Sequence, residues 1–178
     1  MVSDRAEGCL GVNEIAYYAV VFTESSWGLF KAAGGTTAAF PSGAWGRVAR
    51  LKSGDFLLCY MTDVMQWVGL LQVTGDPYIG TEPPIWGVGV FPARVQVRVA
   101  EELPAGSAVS AKQLVRQIPR LREAAEKHPG SWAAYVRGSP RKWPAEDAAV
   151  VINAIRHSKT ARESLPSELV RLSPRRSA

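Results

Sequence analysis

Between Asp55 and Thr74 the chain carries two runs of strand-forming residues with almost nothing between them. Phe56 to Thr62 (FLLCYMT) and Trp67 to Thr74 (WVGLLQVT) are apolar and rich in aromatic and branched side chains, and only Asp63–Gln66 joins them. A connection this short returns the chain beside itself, which predicts an antiparallel hairpin. Ile15 to Thr23 (IAYYAVVFT) is almost uniformly apolar and reads as a buried central strand. Ile85 to Val90 and Arg94 to Ala100 read as further extended segments around Phe91-Pro92. In Arg94-Val-Gln-Val-Arg-Val99 the valines take one face and Arg94, Gln96 and Arg98 the other, the pattern of a half-exposed strand.

Punctuation and periodicity change in the rest of the chain. Glu24-Ser-Ser-Trp27 breaks the first strand and introduces a short helix near Trp27 to Ala33, followed by a loop marked by Gly34-Gly35 and Pro41-Ser-Gly43. Lys52-Ser-Gly-Asp55 is a turn by composition. Ser110 is placed to cap a helix from Ala111 to about Lys127, interrupted at Pro119 and stopped by His128-Pro-Gly130. Pro144 opens another helix as its first residue, with Glu146 and Asp147 in the first turn and Val150, Val151, Ala154 and Ile155 on its buried side. Strands first and helices after predict an α+β protein, a curved sheet with helices packed against it. Residues 1–13 are expected as a flexible leader, 14–164 as one domain and 165–178 as a loose basic tail.

Of 178 residues, 47% are apolar, enough for a real core. No run approaches the roughly 18 apolar residues of a membrane span, and Met1 to Asn13 lacks the pattern of a secretory signal, so a cytoplasmic location is expected. Cys9 and Cys59 are too few for a disulfide framework, and with His128 and His157 they match no metal spacing, so neither a metal nor a cofactor is expected. The net charge of +5 is unevenly spread: residues 1–111 carry 7 Lys/Arg against 10 Asp/Glu, and residues 112–178 carry 14 against 6. A basic half joined to a slightly acidic one suits either a polyanionic partner or a solvated helical surface.

The middle of the chain carries an ordered series of residues. It contains Trp27, Trp45-Gly46, Arg50-Leu-Lys-Ser-Gly-Asp-Phe-Leu-Leu-Cys-Tyr60 and Trp67-Val-Gly69. It continues through Val73-Thr-Gly-Asp-Pro-Tyr78, Ile85-Trp86 and Phe91-Pro-Ala-Arg-Val-Gln-Val97. Over roughly residues 15–158 this series resembles the EVE domain of the PUA-like superfamily, related to the YTH and ASCH domains. The resemblance implies a small PUA-like twisted β-barrel with flanking helices. It also implies recognition of a modified base in DNA or RNA, flipped into an aromatic pocket, with DNA placed before RNA and a restriction or nucleic-acid-processing protein as a further partner. No enzymatic activity attaches to the group as such, and the G-x-K-x-x-E-x-R stretch of the ASCH hydrolases is missing here.

Positions matching the family's pocket are Trp27 and Trp45, each a ligand wall or a packing residue at the barrel end. An aromatic face returns about 1–3 kcal/mol per stacked base, against a cost of a few kcal/mol for leaving the stack. Tyr60 and Thr62 lie two apart on one strand and so share a face; they are further pocket candidates, with Ser25, Ser26 and Asp63 as hydrogen-bonding groups for the base edge. Lys31, Arg47 and Arg50 flank these segments, and Arg137-Gly-Ser-Pro-Arg141-Lys142 is a basic loop with Trp132, Tyr135 and Trp143 interleaved, suited to a phosphate backbone or to a solvated connection. No Ser-His-Asp, Cys-His or phosphate-loop arrangement is present, which leaves a small PUA-like hydrolase of nucleosides or nucleotides as the alternative and an interaction protein with a metabolite pocket as the third.

Overall fold

A computed structural model of the chain describes residues 14–81, 90–104 and 106–163. The expected leader, the segment 85–89 with Trp86, and the tail 165–178 lie outside the described residues. Eight strands among those described form one mixed sheet, ordered β2-β6-β4-β3-β1-β8, with β5 added to β6 and β7 to β4. Strand β1 (Tyr17–Phe22) pairs in parallel with β3 (Phe56–Met61), which forms the expected antiparallel hairpin with β4 (Gln66–Val73). Beyond β4 come β6 (Ala93–Glu102) and β2 (Thr37–Phe40), both antiparallel to their neighbours, with short additions β5 (Tyr78–Ile79) and β7 (Val109–Ser110).

The register shifts twice, between Cys59 and Tyr60 on the β3–β4 pair and between Leu70 and Leu71 on the β4–β6 pair. Each extra residue bends its strand and raises the local twist, and the sheet curls into an open half-barrel flanked by helices. The fold class is α+β, as the segregation of strands and helices predicts.

Two cores result, one on each face of the sheet. Tyr18, Val20 and Phe22 of β1 point into the barrel, where they meet Leu57, Cys59 and Met61 of β3, Val95 and Val97 of β6, and Trp27 and Phe30 of helix α1 (Glu24–Ala32). Ala19 of β1, with Leu58, Tyr60, Trp67 and Leu70, faces the opposite way, onto the helical layer. That layer comprises α3 (Ala111–Leu114), α4 (Pro119–Lys127), α5 (Ala133–Val136) and α6 (Ala145–Glu163). Burial on both faces explains why β1 shows no polar alternation. No helix among the described residues is long and apolar enough to cross a membrane, and no cluster of three metal-ligating side chains occurs there.

Several expectations need correction. Helix α1 starts at Glu24, not near Trp27, because Thr23 and Ser26 form a reciprocal capping box that sets the helix start three residues earlier. Residues 37–40, expected in a loop, form strand β2. The expected basic loop closes as strand β8 (Arg141–Trp143), antiparallel to β1. The helix from Ala111 stops at Leu114, and a new one opens on Pro119. Ile118, extended at φ −96° and ψ 111°, obeys the restriction on a residue before proline. Ser110 precedes α3 without a side-chain cap bond. Arg94 takes the face opposite Val95 and Val97, as expected, but is not exposed there: it is 3% exposed, its Nε donates to the Phe91 carbonyl at 3.2 Å, and the bare Cα of Gly80 makes room for its guanidinium. Val99, in register with Leu71, is exposed just before the bulge in β6.

Asp147 in the first turn of α6 is buried. Its Oδ1 has no hydrogen-bond partner among the described residues, and Oδ2 lies 3.9 Å from Nε of Arg120. Burial raises its carboxyl above the ordinary range; Arg120 opposes the shift, and Glu146 and Glu123 add to it. The native state therefore binds more protons than the unfolded chain between the ordinary and the raised value. Stability falls as pH rises through that interval, and the penalty persists at neutral pH. Asp147→Asn is expected to raise the thermal midpoint at neutral pH and to flatten its dependence on pH in the acid range. An unchanged midpoint and slope in a melting series would contradict this.

Candidate functional site

The carboxyl end of β1 is where strand, helix and a second strand part company. The strand-forming run ends at Phe22, and Thr23 turns the chain into α1, accepting a hydrogen bond from the Ser26 amide at 3.1 Å while the Thr23 amide donates to Ser26 Oγ at 2.8 Å. Trp27 and Phe30, three apart, face the barrel together. Trp27 meets Phe22 edge-on at 5.0 Å and stacks on Phe30 at 5.3 Å. This cluster fixes the side of α1 that points inward and leaves Ser25, Ser26 and Leu29 on another.

Those residues line a cavity of about 220 Å³, with Val20, Val21, Phe22 and Thr23 of the β1 end, Ala38, Ala39 and Phe40 of β2, and Phe91. Alanines at 38 and 39 leave the space; three phenylalanines supply flat walls; three hydroxyls supply polarity. Among the described residues no ionisable side chain lines it, so an unpaired charge would be costly to bring in against these walls. Its size falls below the roughly 300–1,000 Å³ of sites for drug-sized ligands. A single neutral planar heterocycle fits these properties.

Cations stand beside it. The amide of Val21, a lining residue, donates to Ser139 Oγ at 3.2 Å, and Nη2 of Arg47 donates to the Ser139 carbonyl at 3.4 Å. Arg47, in helix α2 (Trp45–Val48), and the basic segment 137–142 therefore meet at the edge of β1. Arg141 opposes Ala19 on β1, donates to the Ala134 carbonyl at 2.6 Å, and holds its guanidinium 5.3 Å from the Tyr135 ring centroid. Arg47, Arg137, Arg141 and Lys142 are all exposed.

The sequence-predicted site residues are distributed unevenly about this cavity. Ser25 and Ser26 line it. Trp27 lies behind Phe22 and forms part of the floor of a separate groove of about 320 Å³ with Met61, Val68 and Leu103. Trp45 is half-buried against the barrel core. Tyr60 is on the opposite face of the sheet, tilted against Trp67 at 5.1 Å, where burial raises its phenol above the ordinary range and Arg137 partly offsets the rise. The strand that carries Tyr60 ends at Met61, one residue before Thr62. Thr62 lies just past the strand end, its amide and Oγ1 both donating to the Phe22 carbonyl. Asp63 accepts from the Glu24 amide at 2.8 Å and ties the β3–β4 turn to α1. Lys31 is paired with Glu102 at 2.7 Å. Arg50 neighbours Tyr18, beside the turn where Asp55 accepts from the amides of Ala16 and Lys52, at the other end of β1 from the cavity.

Sequence reasoning missed Phe22, Ala38, Ala39 and Phe40 as lining residues. The available signal was Thr-Thr-Ala-Ala-Phe40, a short β-compatible run whose small side chains would leave room on a strand. The glycines before it and the proline after it read as loop.

No protein-family model and no curated protein sequence matches this chain. Solved structures do. A complex of the YTH domain-containing protein Mmi1 with RNA matches over 88% of this chain and 94% of its own, with TM-score 0.61 and 12% identity. The protein Rpa0253 of Rhodopseudomonas palustris matches over 80% and 94%, with TM-score 0.56 and 21% identity. Atu2648 of Agrobacterium tumefaciens matches over 81% and 93%, with TM-score 0.54 and 19% identity. The chain has a YTH-like fold of the PUA-like type. In this YTH-like fold the cavity sits at the carboxyl ends of β1 and its continuation into α1, with β2 as its far wall.

Proposed function

We propose that the chain is a nucleic-acid-binding module that reads one base, extruded from its strand, in the cavity between β1, α1 and β2. The observation that carries this reading is the adjacency of two chemistries. A neutral, phenylalanine-walled space for one heterocycle is lined by Val21, whose amide bonds Ser139, the residue that Arg47 also bonds and that lies in the exposed basic segment of Arg137, Arg141 and Lys142. A nucleotide presents the same two chemistries, a neutral ring joined to a charged phosphate. The EVE-like series of residues and the RNA held by the Mmi1 YTH domain support the reading.

In this proposal Phe22, Phe40 and Phe91 pack on the faces and edges of the base, with Trp27 and Phe30 holding Phe22 in place. Thr23, Ser25 and Ser26 hydrogen-bond its edge. Base stacking on aromatic groups returns about 1–3 kcal/mol. A methyl added to the base and buried contributes about 0.8 kcal/mol, roughly fourfold in affinity. Larger discrimination comes from the hydroxyls, which a wrong base leaves unpaired.

The test is titration of the protein with single strands that carry or lack a modified base, at several salt concentrations. RNA comes first, because the structurally similar Mmi1 complex holds RNA, and DNA second. A modified strand is expected to bind at least fourfold more tightly, with the preference unchanged by salt while the absolute affinity falls. Equal affinity for every base, at every salt concentration, would sink the reading.

A further inference from the structure

The cation track does not stop at the cavity. β8 runs along the outer edge of the sheet, from Ser139 beside Val21 to Trp143 opposite Tyr17, carrying Arg141 and Lys142 with it. Arg120 of α4 joins Tyr135, Arg141 and Lys142 around one depression. Two residues further along α4, Arg122 enters a wider groove of about 480 Å³ between α3, α4 and the turn at Gly130. Lys112, Arg116 and Trp132 also line this groove, with Glu126 as the one carboxylate among the described residues.

Some basic side chains are neutralised locally: Lys31 by Glu102, both Arg156 and Lys159 by Glu101, and Arg120 faces Asp147 at 3.9 Å. Lys112, Arg116 and Arg122 are exposed and form no ion pair with the described residues. Unpaired cations of one sign gathered in a groove raise the local potential and attract a polyanion.

We infer that a single nucleic-acid strand with its base in the cavity continues along β8 into the α3–α4 groove, where Lys112, Arg116 and Arg122 take successive phosphates. This rests on the cavity reading for where the strand begins, and adds to it a direction and a length. An acidic protein segment would answer the groove alone. The whole arrangement, a neutral ring site followed by spaced cations, follows the alternation of one extruded base and a running phosphate chain.

The experiment compares single strands of about three and about twelve nucleotides, the longer within the range one small domain covers, on the full chain and on the triple variant Lys112→Gln, Arg116→Gln, Arg122→Gln. The wild type is expected to bind the longer strand more tightly and with the steeper dependence on salt. Each lost phosphate contact removes about 0.7 from the log–log salt slope for a single strand, so the variant should lose about 2 from the slope and roughly tenfold in affinity for the longer strand. Its affinity for the short strand should not change. All three positions are exposed, and an unchanged melting midpoint confirms that the variant folds. An unaltered slope in the variant, equal binding of the two lengths by the wild type, or displacement of the longer strand by polyglutamate of equal charge would overturn the inference. The cavity reading fails separately: loss of length dependence with base preference kept condemns the groove alone, and the reverse condemns the cavity alone.

Discussion

Trp67→Ala is expected to cost about 3–5 kcal/mol, a large part of the roughly 5–15 kcal/mol that holds an ordinary domain together. Trp67 is fully buried on the helix-covered face of β4, in contact with Tyr60 at 5.1 Å and meeting Trp143 edge-on at 5.3 Å. Trp143 is on β8, so the indole of Trp67 joins the central hairpin to the edge strand supplied by the last third of the chain. Truncation leaves a cavity among side chains from β3, β4, β8 and the helical layer, which cannot all collapse into it. The companion variant Trp67→Phe separates volume from polarity. The Trp67 Nε1 group is buried with no acceptor among the described residues, and an unmade hydrogen bond of this kind costs about 1–3 kcal/mol. Phenylalanine gives up some packing but removes that orphan donor, so its net cost should be near zero. Chemical denaturation of the three proteins decides the matter. A Phe variant as unstable as the Ala variant would show that indole volume alone matters.

The second large effect is on recognition. Ala39 lines the cavity from β2, where it is half-buried and pairs with Arg94 on β6. Ala39→Phe places a ring in the space that the alanines at 38 and 39 leave open, while Arg47, Arg137, Arg141 and Lys142 keep their positions. Binding should then lose the contribution of the extruded base, about 1–3 kcal/mol, or roughly 5- to 150-fold. It should keep the salt-dependent attraction to the backbone. The preference for a modified strand should vanish, and the salt slope should stay. Retained base preference in a folded Ala39→Phe protein would place the base somewhere other than this cavity.

The fold was largely legible because its main elements announce themselves locally. The β3–β4 hairpin followed from two apolar runs with four residues between them, and β1 from an unbroken apolar stretch. What escaped was set by partners remote in sequence. β8 is three residues long, two of them Arg141 and Lys142, and it becomes a strand only because β1 offers hydrogen bonds about 120 residues earlier in the chain. Strand β2 was hidden in the same way: Gly34-Gly35 and Pro41 bracket it, and its pairing with β6 decides the outcome.

The candidate cavity was partly legible: of the residues picked from the sequence, Ser25 and Ser26 line it, and Ser139 of the basic segment meets the lining residue Val21. The walls were sought among indoles, whereas those described are phenylalanines. Trp27 is drawn inward by the capping box that starts α1 at Glu24, which puts its side chain on the same face as Phe30. Tyr60 packs against the helical layer, while β3 ends at Met61 and leaves Thr62 beyond the strand, an end that a spacing of two could not reveal.

The shape of β8 has a bearing on solubility. The last strand of a sheet displays unused amide and carbonyl groups and invites another molecule to add to it, a hazard that grows with the length and greasiness of the rim. Here that rim is a stub of three residues bearing Arg141 and Lys142, both exposed. A second copy approaching side by side would meet like charge before it met a hydrogen bond. The two cations thus repel self-association along the same margin where they would greet phosphate.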